Sequence, residues 1–258
     1  MKNSEFKNKN VLITGASKGL GKIIALEFEK LEANLILIAR SKDLLESLIN
    51  NFDNKKNHLF YDLDLFDPLQ RNNVLKDIEK KYSNIDIIIH CLGGSFGIND
   101  PYEDWLNFKK CLEGNLGVAL DINKKFIPAM KHNKSGNIVH VGSVVGQQAT
   151  ASVPYVTSKA ALAGYIRTMG NHLANFNIKL SGIIPGAFIA DDNAMYRFRH
   201  FKPEDYKKFL QTLPLQRMPE AKEYLPFIKI LCGQNSQVFS GSLVCMDTGQ
   251  GTSINQVF

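Results

Sequence analysis

The chain has no run of the roughly 18 uncharged apolar residues that a membrane-spanning helix requires, so no membrane span is expected. Its first ten residues, MKNSEFKNKN, are too polar for a secretory leader, and a cytoplasmic location is the expectation. Cysteine is scarce: Cys91, Cys111, Cys232 and Cys245 stand far apart, with no CxxC pair and no Cys/His cluster. That spacing argues against disulfides and against a zinc or other metal site, and the four read as reduced core thiols. Dense basic runs interleaved with aromatics are missing too. The formal charge of +6 comes from lysines scattered over helix surfaces, so no nucleic-acid partner is expected, and the positive field favours small anions instead. Internal repeats, low-complexity tracts and linkers are absent, and 258 residues of 44% hydrophobic content suit a single domain over residues 1–258.

What the chain does have is an alternation. Short β-branched runs, NVLIT (10–14), LILIA (35–39), HLFYDL (58–63), IDIIIH (85–90), NIVHV (137–141), IKLSGII (178–184) and SLVCM (242–246), are separated by amphipathic helical segments. Continuously apolar strands spaced by helices predict a parallel sheet of about seven strands covered on both faces, the doubly wound α/β fold. The rhythm breaks at about residues 187–217, where one or two helices are inserted after a strand. That insertion falls at the carboxyl ends of the strands, where ligands bind in such sheets, and reads as a lid.

Thr14-Gly15-Ala16-Ser17-Lys18-Gly19-Leu20-Gly21 follows the first strand and opens a helix. Glycines there let the backbone turn tightly and approach a pyrophosphate, which the helix amino terminus stabilises. The spacing is GxxxGxG, distinct from the GxGxxG of the general dinucleotide fold. At the end of the second strand, where an acid would bind the ribose 2′-hydroxyl of NAD, the chain carries Ala39 and Arg40, followed by Ser41. Arginine accommodates a 2′-phosphate, and Lys18 adds a second cation, so NADP(H) is the expected cofactor. Asp64, after the third strand, has two readings: an acceptor for the adenine amino group, or a helix cap.

Further on, Tyr155-Val156-Thr157-Ser158-Lys159 places a tyrosine and a lysine on one helix face, about 140 residues after the glycine loop, with Ser143 twelve residues upstream and Asn115 further back. Reducing a ketone builds negative charge on oxygen, so a proton donor must stand beside it. Tyrosine is too weak an acid unless a nearby cation such as Lys159 lowers its pKa. Ser143 can donate a second hydrogen bond to the same oxygen.

The glycine loop together with YVTSK resembles the short-chain dehydrogenase/reductase family over about residues 8–250. The resemblance implies a Rossmann-type fold and a catalytic set of Asn115, Ser143, Tyr155 and Lys159. In it Lys159 also holds the nicotinamide ribose, and Asn115 distorts its helix and anchors a water. It implies cofactor contacts from Gly15, Ser17, Lys18, Gly19, Leu20, Gly21, Arg40, Ser41, Asp64, Leu65, Gly93, Tyr155, Lys159, Pro185, Gly186 and Phe188, and assembly as a homodimer or homotetramer. Two departures stand out: His90-Cys91-Leu92-Gly93 replaces the family's Asn-Asn-Ala-Gly, predicting altered packing with retained catalysis, and Ala190 stands where a threonine is usual. The expected substrate is a small-molecule ketone or secondary alcohol. Gln147, Gln148, Tyr196, Arg197, Arg199 and His200 favour a polar one such as a sugar derivative. The alternatives are a 3-oxoacyl carrier-protein reductase, for which the basic ridge after the tyrosine helix looks thin with Lys134 as its remnant, and a non-catalytic NADP-binding regulatory protein.

Overall fold

The computed structural model describes residues 5–53 and 57–253. Seven strands form one sheet in the order β3-β2-β1-β4-β5-β6-β7, every neighbouring pair parallel. The strands are β1 (Asn10–Thr14), β2 (Asn34–Ala39), β3 (Leu59–Asp62), β4 (Ile87–His90), β5 (Gly136–Val141), β6 (Ile178–Pro185) and β7 (Leu243–Met246). Between β1 and β2 lies α1 (Gly19–Lys30), and after β2 and β3 come α2 (Lys42–Asn50) and α3 (Pro68–Lys81). From β4 the chain runs through α4 (Trp105–Leu112), a π-helical turn (Glu113–Gly117) and α5 (Val118–Asn133) to β5. The long α6 (Val153–Ala174) leads to β6, followed by α7 (Ala194–Phe201), α8 (Pro203–Thr212) and α9 (Leu225–Cys232).

The period of two along each strand divides the interior into two layers. Val11, Ile13, Leu35 and Leu37 pack on one face against Ile24, Phe28 and Ile228, while Leu12, Ile36 and Ile38 pack on the other against Ile78, Ile122 and Ile166. Strands buried on both faces must be apolar throughout, which is why these segments do not alternate with polar residues. Helix starts are equally local in origin. Asp67 accepts from the Leu69 and Gln70 amides at 2.9 and 3.0 Å, and Pro68 fills the first turn of α3. Asp64 is therefore not the cap; its carboxylate accepts from the Phe66 amide at 3.1 Å in a tight turn of its own.

The strand order reverses direction between β1 and β4, both sprouting from the sheet centre. In open α/β sheets the crevice at this switch point, outside the carboxyl ends of the strands, is where ligands bind. No described helix is long and apolar enough to cross a membrane, and no cluster of three metal-ligating side chains occurs among the described residues. Cys111 and Cys232 are core thiols as expected, but Cys91, just past the end of β4, and Cys245, on the edge strand β7, keep part of their residue surface exposed.

Candidate active site

Four side chains from three segments converge beyond β4 and β5. Ser143 lies two residues past the carboxyl end of β5 and caps a short 3₁₀ turn, its hydroxyl accepting from the Val145 amide at 3.4 Å. Tyr155 and Lys159 lie one turn apart in α6, whose register is set by Pro154 in its first turn and by the buried residues Ser158, Leu162 and Ile166. Lys159 is 5% exposed, and its Nζ donates to the Val141 carbonyl at 2.8 Å and lies 5.9 Å from the Tyr155 ring centre. Burial pushes its ammonium down to about 8.

Tyr155 behaves differently from the expectation. Burial raises its pKa, and the group drawing it back down is Ser143, not Lys159. The reason is geometric: the ammonium is turned to the Val141 carbonyl and is itself disfavoured by burial. In the chain alone, Tyr155 is a protonated donor.

Asn115 is buried in the π-helical turn, so its amide faces the interior and not solvent. Its Nδ2 donates to the Gly94 and Cys111 carbonyls at 2.8 and 2.9 Å, and its Oδ1 accepts from the Gly94 amide at 3.0 Å. The widened turn lets an asparagine satisfy both a loop and its own helix, a common use of π-bulges at functional sites. Gly93 completes the floor. A Cβ there would lie 2.8 Å from Asn115 Oδ1 and 3.1 Å from Lys159 Nζ, so only glycine lets these groups approach the loop. Behind them a cavity of about 10 Å³, with room for one water, is walled by Asn115, His90, His140 and Val141.

The departure at His90 has a structural answer. His90 and His140 stack with ring centres 4.5 Å apart, and Asn123 joins them, 2.9 Å from His90 Nε2 and donating to the Tyr165 hydroxyl at 2.9 Å. Desolvation pushes His90 down to about 4, so the pair is neutral. It is a polar filler of the sheet interior, invisible to a motif search because its members are distant in sequence. Burial likewise raises the Cys91 thiol to about 12, leaving it inert.

A dinucleotide has a cradle to enter. Gly19 adopts φ +60° and a Cβ built on it would meet the Asn193 Cβ at 3.9 Å, while its amide, a donor that a helix terminus offers to an anion, donates to the Asp191 carbonyl at 3.2 Å. Arg40 and Asp64 line one cavity of about 740 Å³ with Phe66, Phe96, Lys109 and Glu113, at the end where adenosine would lie. The adjoining Leu65 is held by Arg71, a 5% exposed guanidinium that donates to the Leu65 carbonyl and pairs with Asp121 at 2.6 Å. Ser17 and Leu20 are buried at the start of α1, and Ser41 precedes α2 without capping it through its side chain.

At the other end Pro185-Gly186 leaves β6, and the Ala187 amide donates to Gln250 Oε1 at 2.6 Å. This contact from the chain's far end had no local signal. Phe188 packs edge-on against Tyr224, ring centres 5.3 Å apart, and Ala190 is buried. The segment expected to form a lid carries two helices, α7 and α8, with no buried residue in either. Arg197, read as a substrate contact, instead donates to the Asp192 carbonyl at 2.5 Å. Lys18 is also engaged, its ammonium 2.6 Å from Asp192.

A family model described as short chain dehydrogenase matches residues 9–197. The chain is 28% identical over 249 residues to 3-oxoacyl-[acyl-carrier-protein] reductase of Thermotoga maritima, covering 94% of this chain and 98% of that one. It is 25% identical over 256 residues to 7alpha-hydroxysteroid dehydrogenase of Escherichia coli, covering 98% of each. Among solved structures, L-sorbose reductase from Gluconobacter frateurii complexed with NADPH and L-sorbose superposes with a TM-score of 0.85 at 24% identity, covering 98% of this chain and 100% of the other.

Proposed function

From the premise that the chain belongs to the short-chain dehydrogenase family, we propose that it is an NADP(H)-dependent oxidoreductase interconverting a ketone and a secondary alcohol on a polar small molecule such as a sugar derivative. The observation that carries this reading is the convergence of Ser143, Tyr155, Lys159 and Asn115 on one floor beside Gly93. Arg40, which lines the cavity on the adenosine side, and Lys18 in the glycine loop support the phosphorylated cofactor.

The nicotinamide, when bound, supplies or accepts the hydride; the chain does the rest. Burial keeps Tyr155 protonated, so its hydroxyl gives a proton to the carbonyl oxygen as charge develops there. The Ser143 hydroxyl donates to the same oxygen, a fixed dipole in a partly dry site. Lys159, held near a pKa of 8, can release or take a proton close to neutral pH and so restore Tyr155. Asn115 keeps the floor in register through its three hydrogen bonds to Gly94 and Cys111. Gln147, four residues after Ser143, has its Nε2 buried with no hydrogen-bond partner among the described residues, which supports a substrate carrying an acceptor.

The test is a screen of NADPH and NADH oxidation with sugar, acyl and small ketones, run for the wild type and for Tyr155→Phe. NADPH should be the better donor, and the variant should be about 10²- to 10⁴-fold slower while still binding cofactor. No turnover with any ketone, or an unchanged Phe variant, overturns the enzyme reading in favour of a regulatory NADP-binding protein.

A second reading, reduction of a 3-oxoacyl group on an acidic carrier protein, is favoured by one observation. The end of α5 lies against the turn after α6: Lys131 Nζ sits 4.4 Å from the Phe176 ring centre, and Asn177 donates to the Lys134 carbonyl at 2.9 Å. Lys131, His132 and Lys134 thereby thicken a ridge that α6 alone leaves thin. Faster turnover of an acyl-carrier substrate than of the free thioester would establish it.

A further inference from the structure

We propose that Asp192 governs the choice between NADPH and NADH, acting through Lys18. This rests on the NADP(H) reading above and adds a residue that neither the glycine-loop motif nor the catalytic set contains.

The stretch Ala190 to Asn193, a few residues past β6, lies against the start of α1, where it is fastened at three points. Lys18 Nζ lies 2.6 Å from Asp192 Oδ2, and Lys22 Nζ 3.6 Å from Asp191 Oδ2. The Gly19 amide donates to the Asp191 carbonyl at 3.2 Å. Arg197 then grips Asp192 from the lid side, at 2.5 Å to its carbonyl and 3.4 Å to Oδ1. Asp192 itself sits at φ +56°, a conformation that aspartate tolerates better than most side chains. Hydrogen bonding to Lys18 holds its carboxyl below the usual carboxylate range, so it stays charged at neutral pH.

The ammonium that would face a 2′-phosphate is thus already in the hands of a carboxylate from the base of the lid. Two ligands then meet different receptions. A 2′-phosphate, carrying more negative charge than a carboxylate, takes Lys18 and frees Asp192. A 2′-hydroxyl offers no charge to exchange, so NADH leaves the Lys18–Asp192 pair intact even where its pyrophosphate displaces the Asp191 carbonyl from the Gly19 amide. Asp192 therefore weakens NADPH binding while linking it to movement of α7, and leaves NADH binding alone. The pairs are exposed, side chains of Lys18 and Asp192 keeping 45% and 51% of their surface, so each is a modest fastening that a ligand can undo.

Calorimetric titration of the whole protein with NADPH and with NADH, without any substrate, tests this in Asp192→Asn, Lys18→Ala and the double variant. Asp192→Asn should bind NADPH about two- to fivefold more tightly, with NADH affinity unchanged. Lys18→Ala should weaken NADPH binding, and adding Asp192→Asn to it should change nothing further, because the two act as one unit. As a structural readout, NADPH but not NADH should alter the rate at which protease cuts between residues 187 and 217 in the wild type. A wild type that prefers NADH overturns the cofactor reading and the proposal together. A wild type that prefers NADPH, with Asp192→Asn shifting both cofactors equally or neither, overturns the clasp alone, as does additivity in the double variant. Asp192 is on the surface, so matched thermal melts will show that the variants fold.

Discussion

The floor of the proposed site and the proposed lid over it are held by different forces. On the floor, Lys159 and Asn115 are buried and bonded to backbone carbonyls, and Gly93 leaves them no slack. In the lid, α7 and α8 bury no residue; α7 is tied to the rest through exposed ion pairs at Asp192, and α8 leans on it through Tyr206 and Phe209 against Phe198. Burial makes a group precise and costly to move; surface pairing makes it replaceable, since such pairs contribute only about 0–1 kcal/mol each. On the proposed reading, the reacting groups inherit the rigidity of the sheet, and the parts that meet varied ligands are free to shift.

Three substitutions probe that contrast. Lys159→Met should abolish turnover and yet not weaken the fold at neutral pH. The lysine's pKa is about 8 in the folded chain against an ordinary 10.5, so its charge opposes folding. The unfolded chain holds the extra proton between those values, and the penalty is full below pH 8 and fades as the pH rises towards 10.5. Melting curves of the variant at pH 7 should lie at or above the wild type, by at most about 3 kcal/mol, with the gap closing at pH 10. A variant less stable at pH 7 than at pH 10, relative to wild type, would show that the floor gains from its charge.

Gly93→Ala is expected to lower kcat about 10²-fold by displacing Asn115 and Lys159, with much smaller change in cofactor affinity. Steady-state kinetics beside a binding titration separates the two. The smallest effect belongs to Arg197→Ala, which unfastens the lid from Asp192. There kcat should stay within about twofold and stability within about 0.5 kcal/mol. If Arg197→Ala costs as much rate as Gly93→Ala, lid and floor are one rigid unit and the contrast collapses.

The same contrast explains what the sequence makes legible. Strands such as NVLIT and IDIIIH reveal themselves because double-sided burial demands unbroken apolar runs, a purely local signature. Tyr155 and Lys159 are legible because one helical turn joins them. Asp64 against Asp67 is a nearer case: two aspartates three residues apart compete for one cap, and the proline at 68 decides for the later one. The Lys18 pair with Asp192 spans 174 residues and the Ala187 contact with Gln250 spans 63, and neither follows from any local pattern. The same holds for the His90 and His140 stack, which forms because β4 and β5 place these residues directly side by side.

The reach of Gln250 back to Ala187 also says something about timing. Synthesis proceeds from the amino end, so the glycine loop, Ser143 and the Tyr155 helix all leave the ribosome before β7 and the residue that fastens the loop after β6. Until residue 250 emerges, that loop has no clamp on the Ala187 amide. A product cut short within β7 would carry the glycine loop, Ser143 and the Tyr155 helix but lack this fastener. Completion of the loop after β6 is thereby tied to a segment made only after β7.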